Sequence, residues 1–283
     1  MVYLLAITSA VLYGAADFTG GLTTRRASTI PVVFISQASG LIFLALSMPV
    51  LPSATASRAD LLWGVASAIT GGIGVALLYR ALAIGAMAVV APVTAVCAVA
   101  IPVVVSVFLG ERLLPLAAAG IGLGMASIVL VSQQTAAPEG EGLEKRSSGV
   151  GIALVSGVMI GFFFLCLAQT RTEAGMWPLL VSRGVSVIMF GGVLLVTKQS
   201  IRMSGRLVFL ASLCGLLDML ANAFYLVAAR QGPLSLVVTL SSLYPASTVL
   251  LARVVLGERL NLLQLSGVGC ALAAIALIVS GSR

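Results

Sequence analysis

The stretch Leu109-Gly110-Glu111-Arg112-Leu113 returns 147 residues later as Leu256-Gly257-Glu258-Arg259-Leu260. Each copy follows an apolar run and precedes another whose glycines keep register, Gly120 and Gly122 against Gly267 and Gly269. The same offset pairs Ser9 with Ser156, Gly14 with Gly161, Pro31 with Pro178 and Gly85 with Gly232. No gap is needed, so the chain reads as two concatenated copies of one unit, and self-similarity at a fixed offset marks a repeat architecture.

Composition sets the solvent for that repeat. The 283 residues are 60% apolar and 9% charged, against about 25% charged in soluble domains. A mean hydropathy of +1.15 exceeds what a soluble core of this length absorbs, and the chain reads as an all-α integral membrane protein. The formal charge of +7 fits cytoplasmic loops and anionic headgroups, not nucleic acid. The four cysteines lie in apolar runs with no CxxC pair, and there is no histidine; a metal site or other cofactor is not expected. The lysines, Lys145 and Lys198, follow Glu and Thr, so no Walker loop is present to cradle ATP. The N-terminus lacks a basic leader and its first apolar run carries an Asp, which does not suit a cleavable signal.

A span needs about 20 apolar residues to cross about 30 Å of hydrocarbon. On that rule ten helices are expected, over 2–22, 30–50, 60–79, 86–108, 114–133, 149–169, 177–197, 207–228, 233–256 and 262–281. They group as a first repeat, 1–133, a polar linker, 134–148, and a second repeat, 149–283. The linker holds Pro138, Gly140, Gly142 and three glutamates and reads as a flexible surface loop. Five spans per repeat is an odd number, so the second copy enters from the opposite side and the repeats are inverted. Inverted repeats are a common plan of secondary transporters, with the substrate site at the midplane between them.

Two five-helix units, each with Gly-Glu-Arg-Leu after its fourth helix, resemble the drug/metabolite transporter superfamily, EamA type. Tyr244-Pro245 in the ninth helix adds to the resemblance, which covers essentially the whole chain. It implies a ten-helix carrier in the cell (inner or plasma) membrane, with no enzymatic activity, that moves a small metabolite or drug outward. It also implies a cavity lined by helices 1, 3, 4, 6, 8 and 9. The alternatives from the residues themselves are an enzyme acting on a lipid-linked substrate, or an exchanger or facilitator without coupling. Either a monomer or a homodimer is compatible with the repeat. The Gly-Glu-Arg-Leu copies themselves read most simply as tight interfacial turns.

Charged residues within spans cost about 2.5–3.5 kcal/mol on insertion scales and are functional candidates by default. Asp17 in helix 1 shares a polar, small-residue stripe with Ser9, Tyr13, Gly20 and Thr24. Asp218, near the middle of helix 8, shares one with Cys214, Asn222 and Tyr225. Their repeat mates are Phe164 and Gly71, so neither carboxylate belongs to the symmetric scaffold. Asp218 is expected to bind substrate or the coupling proton, unless Arg183 in helix 7 pairs with it and makes its role structural. Arg253 is expected either to reach Asp17 or to snorkel. Tyr79, Tyr225 and Tyr244 are further cavity candidates. Pro92 and Pro102 in helix 4 and Pro245 in helix 9 each remove a backbone hydrogen bond and are candidate gating kinks. Gly120/Gly124 and Gly157/Gly161 have the spacing for close helix approach. Let face A be the side of the N-terminus and face B the other. Loop charge then favours face B as cytoplasmic, with nine Lys+Arg against five, whereas the resemblance puts both termini inside.

Overall fold

The computed structural model describes residues 1–108, 115–132, 143–231, 237, 240–241, 243–258 and 262–280. The first Gly-Glu-Arg-Leu copy lies outside these residues, as do Arg259 and Leu260 of the second and residues 134–142 of the linker. The described chain is helical: α1 (Val2–Thr24), α2 (Thr29–Ser47), α3 (Arg58–Ile84), α4 (Met87–Phe108) and α5 (Pro115–Ser132). The second half follows as α6 (Leu143–Ala168), α7 (Trp177–Thr197), α8 (Gly205–Gln231), α9 (Tyr244–Leu256) and α10 (Leu262–Ser280). Hydrocarbon offers the backbone no hydrogen bonds, so apolar segments of this length satisfy themselves as helices. Among the described residues six segments have the length and hydropathy of a full span: 2–24, 29–50, 58–84, 149–168, 177–197 and 205–228.

Local chemistry sets the ends. Ser57 caps α3 in a reciprocal capping box with Asp60, whose carboxylate also takes the backbone N–H and side chain of Arg171. That ion pair ties the start of α3 to the α6–α7 connection at face A. Gly257, at φ +67°, ends α9 in a left-handed turn that a side-chain-bearing residue adopts only at a cost.

Two expectations change. α6 begins at Leu143, so the last residues of the expected linker are helical. Its 26 residues extend about 39 Å at 1.5 Å each, and the polar first turns therefore stand beyond the hydrocarbon. The ninth span is not one continuous helix over 233–256. Val237, Leu240 and Ser241 are helical, Leu243 forms a turn, and α9 starts afresh at Tyr244. Pro245 occupies the first turn of α9, where its missing N–H is no loss. α4, by contrast, runs unbroken through Pro92 and Pro102.

The halves are inverted. Along α5, Gly120 meets Leu277 and Ile278 of α10, and Gly124 meets Ala274. These repeat mates thus pack antiparallel. The other contacts obey the same pseudo-twofold: α1 packs on α8 as α6 packs on α3, and α9 packs on α1 as α4 packs on α6. Two three-helix groups result, α1/α8/α9 and α6/α3/α4, each mixing helices of both repeats. α2 and α7 flank them and α5 pairs with α10 at the periphery.

Candidate functional site

A cavity lies between the two three-helix groups. It encloses about 120 Å³, well above the roughly 10–15 Å³ that one water needs. α1 contributes Tyr13 and Asp17, α8 contributes Asp218, Asn222 and Tyr225, and the broken ninth span contributes Ser241 and Tyr244. Facing them are Gly71, Gly72, Val75 and Leu78 of α3, Ala98 and Val99 of α4, and Ile160, Phe163 and Phe164 of α6. α2 and α7, which the resemblance did not include, add Gln37 and the trio Ser182, Arg183 and Ser186. Neither α5 nor α10 supplies a lining residue among those described.

Helical spacing explains who points inward. Residues three and four apart share one face, which aligns Tyr13 with Asp17 on α1 and Asp218 with Asn222 and Tyr225 on α8. Small residues let the groups approach beside them. A Cβ at Gly14 would stand 1.9 Å from Ser247 Oγ of α9, and one at the repeat mate Gly161 would stand 2.6 Å from Ile101 of α4.

The polar centre of the cavity is an ion pair with supports. The Arg183 guanidinium donates to Asp218 and, through Nη1, to Gln37 Oε1 at 2.6 Å. Asn222 Nδ2 donates to the Asp218 backbone carbonyl at 2.8 Å and to its carboxylate at 3.3 Å. Both charges are therefore neutralised within the protein, the geometry a buried pair requires to offset its desolvation. Asp17 differs. It is half-buried, lines the same cavity, and has no hydrogen-bond or ion-pair partner among the described residues. Arg253 does not reach it; that side chain is exposed, as snorkelling requires.

Seven of the eight expected site residues converge here: Tyr13, Asp17, Arg183, Asp218, Asn222, Tyr225 and Tyr244. Tyr79 does not. It is 3% exposed, and its hydroxyl shares a hydrogen bond with Cys214 Sγ at 2.9 Å in the packing between cavity and face B. The expected kinks flank the lining without entering it: Ala98 and Val99 lie between Pro92 and Pro102, and Tyr244 precedes Pro245. Gln37 escaped the sequence reading, although an amide buried to 3% within an apolar helix carries the same cost that marked the aspartates.

Towards face B the cavity is sealed. Just past Leu78, the side chains of Tyr79, Ala81, Leu82 and Met87 are buried in the largest apolar cluster. Gly20 and Gly21 of α1 press on Tyr79 and Leu82, where added Cβ atoms would stand 2.5 and 2.6 Å away. Above this seal sits Glu258 of the repeated motif. Its carboxylate accepts from the backbone N–H groups of Met87 and Ala88, at 3.2 and 3.1 Å, at the start of α4. Arg25, just after α1, donates to the same carboxylate at 3.0 Å and to the Gly85 carbonyl at 3.3 Å. One side chain thus joins the ends of α1 and α9 to the beginning of α4, across the boundary between the two groups. It also neutralises the positive end of that helix. The turn expected from sequence is present, and its glutamate does more than turn the chain.

Inverted repeats enclosing a cavity with an ion pair at its centre are the plan of a membrane carrier, and comparison with known proteins agrees. Residues 1–133 and 147–280 match the EamA-like transporter family, and the chain belongs to that family. It is a multi-pass membrane transporter of the drug/metabolite type. No curated protein matches. Nineteen solved chains do. One of them, described only as "Crystal structure of protein", is similar over 98% of this chain and 95% of its own, with a TM-score of 0.63 and 16% identity. At that identity the likeness concerns the fold alone.

Proposed function

We propose that the protein is a secondary active exporter of a small metabolite or drug-like molecule in the cell membrane. It works by alternating access and is coupled to protons through Asp17. The observation that carries this reading is the cavity between two three-helix groups related by a pseudo-twofold. Exchanging the conformations of the halves turns a structure closed at face B into one closed at face A, which is what alternating access demands. One chain supplies lining residues from both halves, which supports a single copy as the transport unit. The expectation that Asp218 carries the coupling proton gives way to Asp17. Asp218 has a counter-ion in Arg183, whereas Asp17 has none among the described residues and faces the same space as Arg183, Asp218, Tyr13, Tyr225 and Tyr244.

Uptake of a metabolite library into liposomes containing the purified protein, with and without an imposed pH gradient, is the test. Asp17→Asn is expected to insert normally while its transport ceases to respond to the gradient. An unaltered pH response in that variant removes Asp17 from the coupling role. Chemical conversion of a lipid-linked compound, without translocation of any solute, would establish the enzyme reading instead.

A further inference from the structure

The offset of 147 residues also relates the two walls of the cavity, and the relation is chemical as well as geometric. On the α1/α8 wall, Asp17, Asp218 and Asn222 line the space; their repeat mates Phe164, Gly71 and Val75 line it from the α3/α6 wall. Tyr13 and Tyr225 are likewise matched by Ile160 and Leu78. At all five matched positions the polar or phenolic member lies on α1/α8 and the apolar member, or glycine, on α3/α6. A scaffold built by duplication has no reason to divide in this way. A ligand with two unlike ends supplies one.

Charge adds the sign. Among the described residues three carboxylate or guanidinium groups line the cavity, Asp17, Asp218 and Arg183. Arg183 is taken up by Asp218 and Gln37, and Asp218 by Arg183 and Asn222. Their charges cancel, and the Asp17 carboxylate has no partner among the described residues. An anionic solute entering here meets a like charge, and a neutral one displaces water from the carboxylate without supplying a counter-charge, which is costly. A solute with one positive charge completes the site. Tyr13 and Tyr244, with ring centroids 6.1 Å apart and tilted by 58°, stand beside this position, and aromatic faces attract cations.

We infer that the cavity binds an amphipathic organic cation: a small amine with its charge at Asp17 and its apolar end against Val75, Leu78, Ile160 and Phe164. The inference rests on reading the cavity as the transport site and adds the substrate class to it.

The test is equilibrium binding to the full-length protein in nanodiscs, using three probes of one shape: phenethylamine, phenethyl alcohol and 3-phenylpropionate. The amine is expected to bind at least about tenfold more tightly than either of the others, the equivalent of about 1.4 kcal/mol. Asp17→Asn is expected to erase that preference, and Asp17→Glu to retain it. A monodisperse size-exclusion profile and an unchanged Tm show that the Asn variant is folded; if it is not, the Glu variant and the probe ranking decide alone. Carboxylate binding equal to that of the amine, an amine preference that survives Asp17→Asn in folded protein, or no binding of any probe overturns the inference. Amine binding without translocation in liposomes would keep this inference and remove the transport reading. Translocation of anions or neutral solutes only would do the reverse.

Discussion

Ser9 and Ser156, 147 residues apart, make the same hydrogen bond in opposite halves of the molecule. Ser9 Oγ donates to the carbonyl of Ala221 at 2.8 Å, and Ser156 Oγ to that of Gly74 at 2.7 Å. The acceptors are themselves 147 residues apart. Both serines are fully buried and fasten α1 to α8 and α6 to α3, the interfaces that build the two helix groups. A net hydrogen bond contributes about 1 kcal/mol. Ser9→Ala and Ser156→Ala are therefore each expected to lower stability by about that amount, with additive effects in the double variant. Thermal unfolding in detergent checks this, and a strongly unequal pair of losses would contradict the equivalence of the halves.

Gly215 of α8 lies against α2, where an added Cβ would stand 1.9 Å from the Ser36 carbonyl oxygen. Backbone cannot rotate away, so the helices must separate, and overpacking of this kind costs about 1–3 kcal/mol or more. Gly184 of α7 has open space at the same position. We expect Gly215→Ala to reduce folded yield or lower Tm markedly and Gly184→Ala to leave both unchanged, as fluorescence-detected size exclusion would show.

The Arg183–Asp218 pair is shielded, with side chains 10% and 20% exposed. Removing one partner of a buried pair strands the other charge, at about 3–5 kcal/mol, whereas replacing both is nearly neutral. Asp218→Asn alone is thus expected to destabilise the protein, and Asp218→Asn with Arg183→Gln to recover most of the loss. A double variant no more stable than the single would show that the ion pair is not what Asp218 contributes. Comparison of unfolding midpoints provides the measurement.

Glu258 should hold the cavity closed at face B. Hydrogen bonds to a charged group contribute about 1.5–3 kcal/mol each, so losing one shifts a two-state population by about tenfold or more. Spin labels at Arg26, in the exposed turn after α1, and at Gly151, exposed on α6, span the boundary in a cysteine-free background. Glu258→Gln is expected to move the distance distribution towards longer separations, and Arg25→Ala to do so to a smaller extent. A distribution unmoved in both, with only Tm lowered, would reduce Glu258 to a cap on α4.

The class of the protein, its ten helices and its inversion were legible because they follow from local quantities. Apolar length selects a spanning helix, and an odd number of spans per repeat fixes the inversion. The cost of a charge in hydrocarbon singled out Asp17, Arg183 and Asp218 before any contact was known, since a buried charge needs a reason wherever it sits. Which charge has a partner was beyond that reasoning. Arg183 and Arg253 both lay within conceivable reach of an aspartate; packing of both α7 and α8 against α2 gave Arg183 to Asp218, while Arg253 faces outward. Periodicity alone left Tyr79 with the other tyrosines; its contact with Cys214 put it in the seal. Glu258 is the sharpest case. The repeat marked it and its glycine explained the turn, but its ligands are backbone N–H groups of Met87 and Ala88, which carry no signal in side-chain identity. Hydrogen bonds to backbone and pairings across 170 residues exist only once the helices have packed.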